Sequence, residues 1–155
     1  MAGFVIARDD LVADDVLTLL DQHQRELRSC SPDDACHVMG PDRLRENDVT
    51  FFALRCQGEL AAFGALKQLD AQTGEIKSMR AADHWRGKGA GSAILTHLIS
   101  EARARGYATL GLETGRDPVF ADAHALYSRA GFTECESFGP YRSGDFTLCM
   151  VLSLT

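Results

Sequence analysis

The segment Arg86-Gly87-Lys88-Gly89-Ala90-Gly91-Ser92 constrains this chain more than any other. Its glycines reach backbone conformations that residues with a Cβ avoid. It runs straight into a stretch where Ile94, Leu95, Leu98, Ile99 and Ala102 recur at helical spacing, with Thr96, Ser100, Glu101 and Arg103 on the opposite side. That spacing predicts a helix with one buried face. Arg103 and Arg105 suit its carbonyl end, and Gly106 stops it. Ahead of the glycines, Glu75 to Ala81 reads as a strand. A helix that begins after a glycine-rich turn presents unpaired N–H groups and the positive end of its dipole, and Arg86 and Lys88 add charge. Such a turn can cradle a phosphate or a diphosphate.

Spacing separates the phosphate-binding patterns. A Walker A loop needs Ser or Thr after its lysine, and Lys88 is followed by Gly89. A dinucleotide fingerprint needs a third glycine where this chain has Ser92 or Ile94. The pattern Arg-x-x-Gly-x-Gly is met by Arg86, Gly89 and Gly91. It resembles the diphosphate loop of the GNAT superfamily of acetyl-CoA-dependent N-acetyltransferases. The structural alternative is a turn that only joins a strand to a helix.

The remaining chain divides into short elements. Phe4 to Ile6 reads as a first strand, and Asp9 or Asp10 as the cap of a helix with Val12, Val16, Leu19, Leu20 and Leu27 on one side. His23 lies close to that stripe, either as a satisfied half-buried histidine or as an acceptor-binding group. From Arg28 to Asn47 the pattern loosens into a mobile cover over a substrate site: Ser31-Pro32-Asp33-Asp34 is turn chemistry, Pro41 opens a short helix through Leu44, and His37 and Asp42 read as solvated. Val49 to Cys56 and Leu60 to Leu66 are strands joined at Gln57-Gly58, with a second turn from Asp70 to Gly74. In the strand Glu75 to Ala81, simple alternation sets Glu75, Lys77 and Met79 against Ile76, Ser78 and Arg80. After the central helix come a strand Thr109 to Glu113, a helix Ala121 to Arg129, a strand Phe132 to Cys135, and a closing strand carrying Phe146, Leu148, Met150 and Leu152 on one face.

Composition excludes several classes. A chain of 155 residues with 45% hydrophobic content suits one domain spanning residues 1–155. A net charge of −6, with basic residues clustered only at Arg80, Arg86 and Lys88, argues against nucleic-acid and membrane-surface partners. The five cysteines show no C-x-x-C spacing, so neither a disulfide framework nor a metal site is expected. Nothing reads as a signal peptide or a membrane span, and a cytoplasmic location is expected.

The order of elements resembles the GNAT fold over nearly the whole chain. Ala125-Leu126-Tyr127-Ser128-Arg129-Ala130-Gly131-Phe132 adds a second motif, similar to the family's A-x-x-L-Y-x-x-x-G-F region. The resemblance implies an α/β (α+β) fold with a mixed, mostly antiparallel central sheet flanked by helices. It implies acetyl-CoA as cosubstrate, with the backbone of Met79, Arg80 and Ala81 along the pantetheine arm. Arg86, Gly87, Lys88, Gly89, Ala90, Gly91 and Ser92 would hold the diphosphate. It further implies Tyr127 facing the thiol, where the alternative is a core aromatic, and direct attack by the amine of a small molecule in a ternary complex. Glu75 would serve as base, directly or through water, where the alternative is a strand carboxylate paired with Lys77 or Arg80; Glu113 is a second candidate. Many members carry an asparagine near the position of Phe120, so the contacts there differ. Relatives are often dimers. Transfer of a larger acyl group, an acyl-CoA sensor without turnover and, more remotely, a nicotinamide-dependent oxidoreductase complete the readings. Residues that select the acceptor are expected in the Arg28 to Asn47 segment and the tail from Phe138 to Gly144, where Pro140, Tyr141 and Arg142 are candidates to rim the cleft.

Overall fold

The computed structural model describes residues 3–30 and 39–155, and the expectations for Ser31 to Asp34 and for His37 lie outside them. The strands are β1 Phe4–Arg8, β2 Val49–Cys56, β3 Glu59–Asp70, β4 Thr73–Ala81, β5 Thr109–Gly115, β6 Thr133–Cys135, β7 Ser137–Phe138, β8 Tyr141–Arg142 and β9 Thr147–Ser153. The helices are α1 Asp14–Cys30, α2 Pro41–Leu44, α3 Ala90–Ala104 and α4 Ala121–Arg129. Seven strands form one sheet in the order β1-β2-β3-β4-β5-β9-β6, and β7 and β8 form a separate hairpin. Only β4 and β5 run parallel; the other neighbours in the large sheet are antiparallel. The mixed, mostly antiparallel sheet flanked by helices is therefore the architecture.

The sheet is covered on both faces, which explains why β2 and β3 read as near-continuous apolar runs. On one face Phe52, Leu54, Leu66 and Ile76 pack with Ile94, Leu95, Leu98 and Ile99 of α3. On the other, Phe51, Ala53 and Phe63 pack with Val16, Leu19 and Leu20 of α1 and Leu44 of α2. No helix among the described residues is long and apolar enough to cross a membrane.

The structure corrects several boundaries. The first helix begins at Asp14, because the Asp9 carboxylate accepts the Leu11 N–H at 2.8 Å and folds the preceding residues into a turn. That turn buries Leu11, while Val12 is 63% exposed and leaves the apolar stripe. Gly74 belongs to β4: its missing side chain makes room for the Tyr107 ring, whose nearest atom lies 2.7 Å from where a Cβ would stand. Phe146 precedes β9 and is 49% exposed.

Simple alternation fails along β4. Phe63 pairs with Arg80 but Ala65 pairs with Lys77, so β4 carries one extra residue opposite β3. Ser78 sits in that bulge with φ +53°, a left-handed conformation for a residue with a Cβ. The bulge reverses the faces beyond it. Met79 joins Ile76 on the α3 side, while Arg80 joins Glu75 and Lys77 on the opposite side and reaches Glu26 of α1.

Leu98 is fully buried between α3 and the sheet, and truncating such a side chain typically costs about 2–5 kcal/mol. Leu98→Ala is expected to lower the urea midpoint accordingly with an unchanged slope. A loss under about 1 kcal/mol would show that this contact relaxes rather than holding the helix on the sheet.

Candidate active site

The pairing of β4 with β5 covers only Thr73–Ile76 against Thr109–Leu112 and then ends. Beyond it lies a cleft of about 560 Å³. Its walls are His23, Glu26 and Leu27 of α1, the end of β4 at Met79, Arg80 and Ala81, the turn before α3, and the segment from Val119 to Arg129. Arg86, Gly87, Gly89, Gly91, Ser92 and Tyr127 all line it. One cleft thus collects most of the residues singled out from the sequence.

The turn is built to present backbone donors. Gly87 and Gly89 have φ of +73° and +87°, which a Cβ would oppose. Gly89 caps α3 with no side-chain hydrogen bond, so first-turn N–H groups are left for a ligand. Gly91 has no such φ, and a Cβ there would approach only Leu126, at 3.5 Å. Internal packing thus leaves room for a side chain at Gly91, and its absence keeps the N–H groups open to the cleft. Ala90 is fully buried and offers only backbone. Arg86 Nε lies 3.5 Å from Asp83, and Lys88 Nζ stands 5.5 Å from the Trp85 ring centroid. Open N–H groups, a positive helix end and two surface cations fit a diphosphate.

Tyr127 of α4 is 7% exposed, and its ring meets Phe132 edge-on with centroids 5.9 Å apart. Burial pushes its phenol up to about 12, so it is a proton donor at neutral pH. Two contacts set the angle of α4. His124 Nε2 lies 2.8 Å from the Gly115 carbonyl, and the Phe120 ring occupies the space over Gly115, 2.2 Å from where a Cβ would stand. Asp117 holds the intervening turn by accepting the Val119 N–H at 2.9 Å. Phe120 itself lines the cleft.

The α1 wall is fixed by a ring of charged and polar groups. Arg80, 8% exposed, donates to Glu26 and, at 3.2 Å, to Asp83. Gln22 Nε2 closes the ring, 3.3 Å from Glu26 and 2.9 Å from Asp83. The Arg80 guanidinium holds the Glu26 carboxyl down to about 2. His23 is in edge contact with Phe63, and its shielded Nδ1 has no hydrogen-bond partner among the described residues. Burial, then the positive Arg80, lowers its pKa to about 4, so the ring is neutral near pH 7. Glu26 and Trp85 carried no motif in the sequence, although Gln22 and Glu26 stand one helical turn apart and Trp85 adjoins Arg86.

Glu75 does not line this cleft. It is fully buried, 3.3 Å from Lys77 Nζ, and accepts the Tyr141 hydroxyl at 3.2 Å. Burial raises its pKa, and Lys77 opposes the rise. Lys77 Nζ also donates to the Tyr141 oxygen at 3.1 Å.

Residues 15–132 match the model of the acetyltransferase (GNAT) family. The chain is 43% identical to the N-acetyltransferase YsnE of Bacillus subtilis over 94% of this chain and 97% of that one. It is 37% identical to the N-acetyltransferase YedL of Escherichia coli over 97% and 95%. A Klebsiella pneumoniae structure described as an acyl-CoA N-acyltransferase superposes with a TM-score of 0.80 at 26% identity, covering 100% of both chains. The chain belongs to the GNAT acetyltransferase family.

Glu26 supplies a stability test. A carboxylate whose folded pKa is depressed stabilises the fold above its unfolded pKa and loses that contribution as pH falls through the folded value. The Arg80–Glu26 pair therefore strengthens the α1 wall above about pH 4.5 and releases it toward about pH 2. Thermal melts should fall more steeply over that window for the native chain than for Glu26→Gln. Parallel curves would mean that the pair adds nothing in solution.

Proposed function

We propose that this GNAT-family acyltransferase moves an acetyl group from acetyl-CoA to the primary amine of a small molecule, by direct attack in a ternary complex. One observation carries the reading: the open glycine turn of α3, the unpaired end of β4 and the Tyr127 phenol border a single cleft. A diphosphate, an extended amide arm and a thioester occur in that order in acetyl-CoA. The cleft volume of about 560 Å³, shared between cosubstrate and acceptor, supports a small amine.

Each residue then has a defined task. Arg86, Lys88 and the N–H groups from Gly87 to Ser92 neutralise the diphosphate, which draws Arg86 away from Asp83. Met79, Arg80 and Ala81 lie on the side of β4 where pairing with β5 has ended, and their backbone receives the amide arm as an added strand would be received. Acetyl-CoA supplies an activated thioester carbonyl. Tyr127 donates a hydrogen bond to the departing sulfur. Transfer of the whole proton to a thiolate whose thiol has a pKa of about 8.5 is uphill from a phenol raised to about 12, so the stabilisation falls on the partly broken bond. Glu75, with its raised pKa, is the final proton acceptor from the amine.

The direct test is thiol release from acetyl-CoA with a panel of tyramine, benzylamine, spermidine and lysine methyl ester. Acceleration by an amine supports the reading; acetyl-CoA binding without acceleration by any of them would favour a sensor.

Two variants probe the parts. Gly91→Asp places a carboxylate at a helix start, where it suits the dipole, so the melting temperature should hold while acetyl-CoA affinity falls at least tenfold by calorimetry. Unchanged affinity would remove the turn from the binding site. Tyr127→Phe should lower kcat by about 10²–10³, the range for losing one aligned donor to a developing anion, with acetyl-CoA affinity kept. Lost affinity with kcat preserved would make the hydroxyl a cosubstrate anchor.

A further inference from the structure

Glu75 cannot meet the acceptor amine itself. It has no solvent exposure and does not line the cleft, and its ion-pair partner Lys77 stands two positions nearer to Met79 on the same strand. A proton from an amine attacking near the end of β4 needs a carrier. Lys77, the nearer neighbour, is an ammonium with no lone pair to accept it.

The β7–β8 hairpin brings a suitable group. Glu75 and Gly111 are partners across β4 and β5 and project from the same face of the sheet. Phe138 of β7 seats over Gly111, with ring atoms 2.3 Å from where a Cβ would stand, and this fixes the hairpin as a roof over that face. Tyr141 of β8 hangs from the same roof. Its hydroxyl donates to Glu75 Oε1 at 3.2 Å and accepts from Lys77 Nζ at 3.1 Å, and its ring lies under the Lys77 ammonium at 5.1 Å from the centroid. Of the three residues, only Tyr141 is partly exposed.

We propose that the Tyr141 hydroxyl relays the acceptor's proton to Glu75. This rests on the acetyltransferase reading and extends it. The N–H bond of the acceptor ammonium breaks as its proton passes to the phenol oxygen; the phenol's own O–H bond breaks as that proton passes to Glu75 Oε1. The ammonium and the carboxylate become a neutral amine and a carboxylic acid, and the phenol is regenerated. Lys77, already donating to the phenol oxygen, stabilises the charge that develops there during transfer. The face is otherwise bordered by Lys67 of β3, Glu113 of β5 and Arg43 of α2, all of which act electrostatically on Glu75 or Tyr141. They set the pH at which the pair works. The hairpin therefore serves the chemistry as well as the packing.

The experiment compares the native chain with Tyr141→Phe, Glu75→Gln and the double variant, using the panel amine that releases thiol fastest. Tyr141→Phe keeps the ring under Lys77 and removes only the hydroxyl. It should lower kcat by about 10²-fold or more, abolish the acidic limb of the kcat/KM profile, and leave acetyl-CoA affinity unchanged. The double variant should be no slower than either single one, because both break the same path. Multiplicative losses, or an acidic limb retained in Tyr141→Phe, would overturn the relay and leave Tyr141 a packing residue. A proton inventory on the native chain in mixed H₂O and D₂O needs no variant: a curved plot is expected for two protons in flight, and a linear one overturns the proposal. Native protein that releases no thiol with any amine would overturn the acetyltransferase reading and the relay with it. Activity in Tyr141→Phe equal to native overturns the relay alone.

Discussion

The fold of the site depends on one interruption in one strand. β4 pairs in parallel with β5 over Thr73–Ile76 only, and the bulge at Ser78 then shifts its register against β3. An extra residue in one strand bends and twists it away from its neighbour. The sheet opens there, and a continuous, fully paired β4–β5 ladder would leave no room for the cleft. The same bulge sorts side chains. Met79 turns to the α3 side and Arg80 to the α1 side, so the cleft gains an apolar wall and a charged wall from adjacent residues.

Arg80 shows how the charged wall is held. A guanidinium that is only 8% exposed must be paired, because an isolated buried charge would cost several kcal/mol. Glu26 and Asp83 provide that pairing from different elements, and Gln22 links the two carboxylates. The result is less a source of stability than a brace. It fixes the C-terminal half of α1 against the turn that precedes the phosphate cradle, while Arg86 also leans on Asp83. A ligand that takes Arg86 leaves Asp83 to Arg80, so the two halves of the cleft share one carboxylate.

Glycine has distinct meanings along this chain. Gly87 and Gly89 are required by their positive φ, whereas Gly74, Gly111 and Gly115 are required by the rings of Tyr107, Phe138 and Phe120 packed against them. The first kind was legible, since glycines between a strand and a helix signal a turn. The second kind misleads a reader of sequence: Gly74 looked like the end of a turn and is a strand residue under an aromatic ring. Phe146 and Val12 misled in the same way, as apolar residues that fit a local period and face solvent. Local period describes which face a residue would occupy if the element continued, and it carries no information about where the element stops.

The sequence by itself determined the family, the phosphate-type turn, the central helix and the alternation of helices with strands, because these rest on contacts and backbone preferences within a few residues. Through two motifs and the resemblance they carry, it also brought forward Met79, Arg80, Arg86, Gly87, Gly89, Gly91, Ser92 and Tyr127, which line one cleft, together with Lys88 and Ala90, which do not. Tertiary structure alone decided the bulge at Ser78, the pairing of Arg80 with Glu26, and the roof that sets Tyr141 against Glu75. Those contacts join residues separated by 54 and 66 positions. Nothing in the local pattern around either partner specifies the other, so only the packed sheet could bring them together.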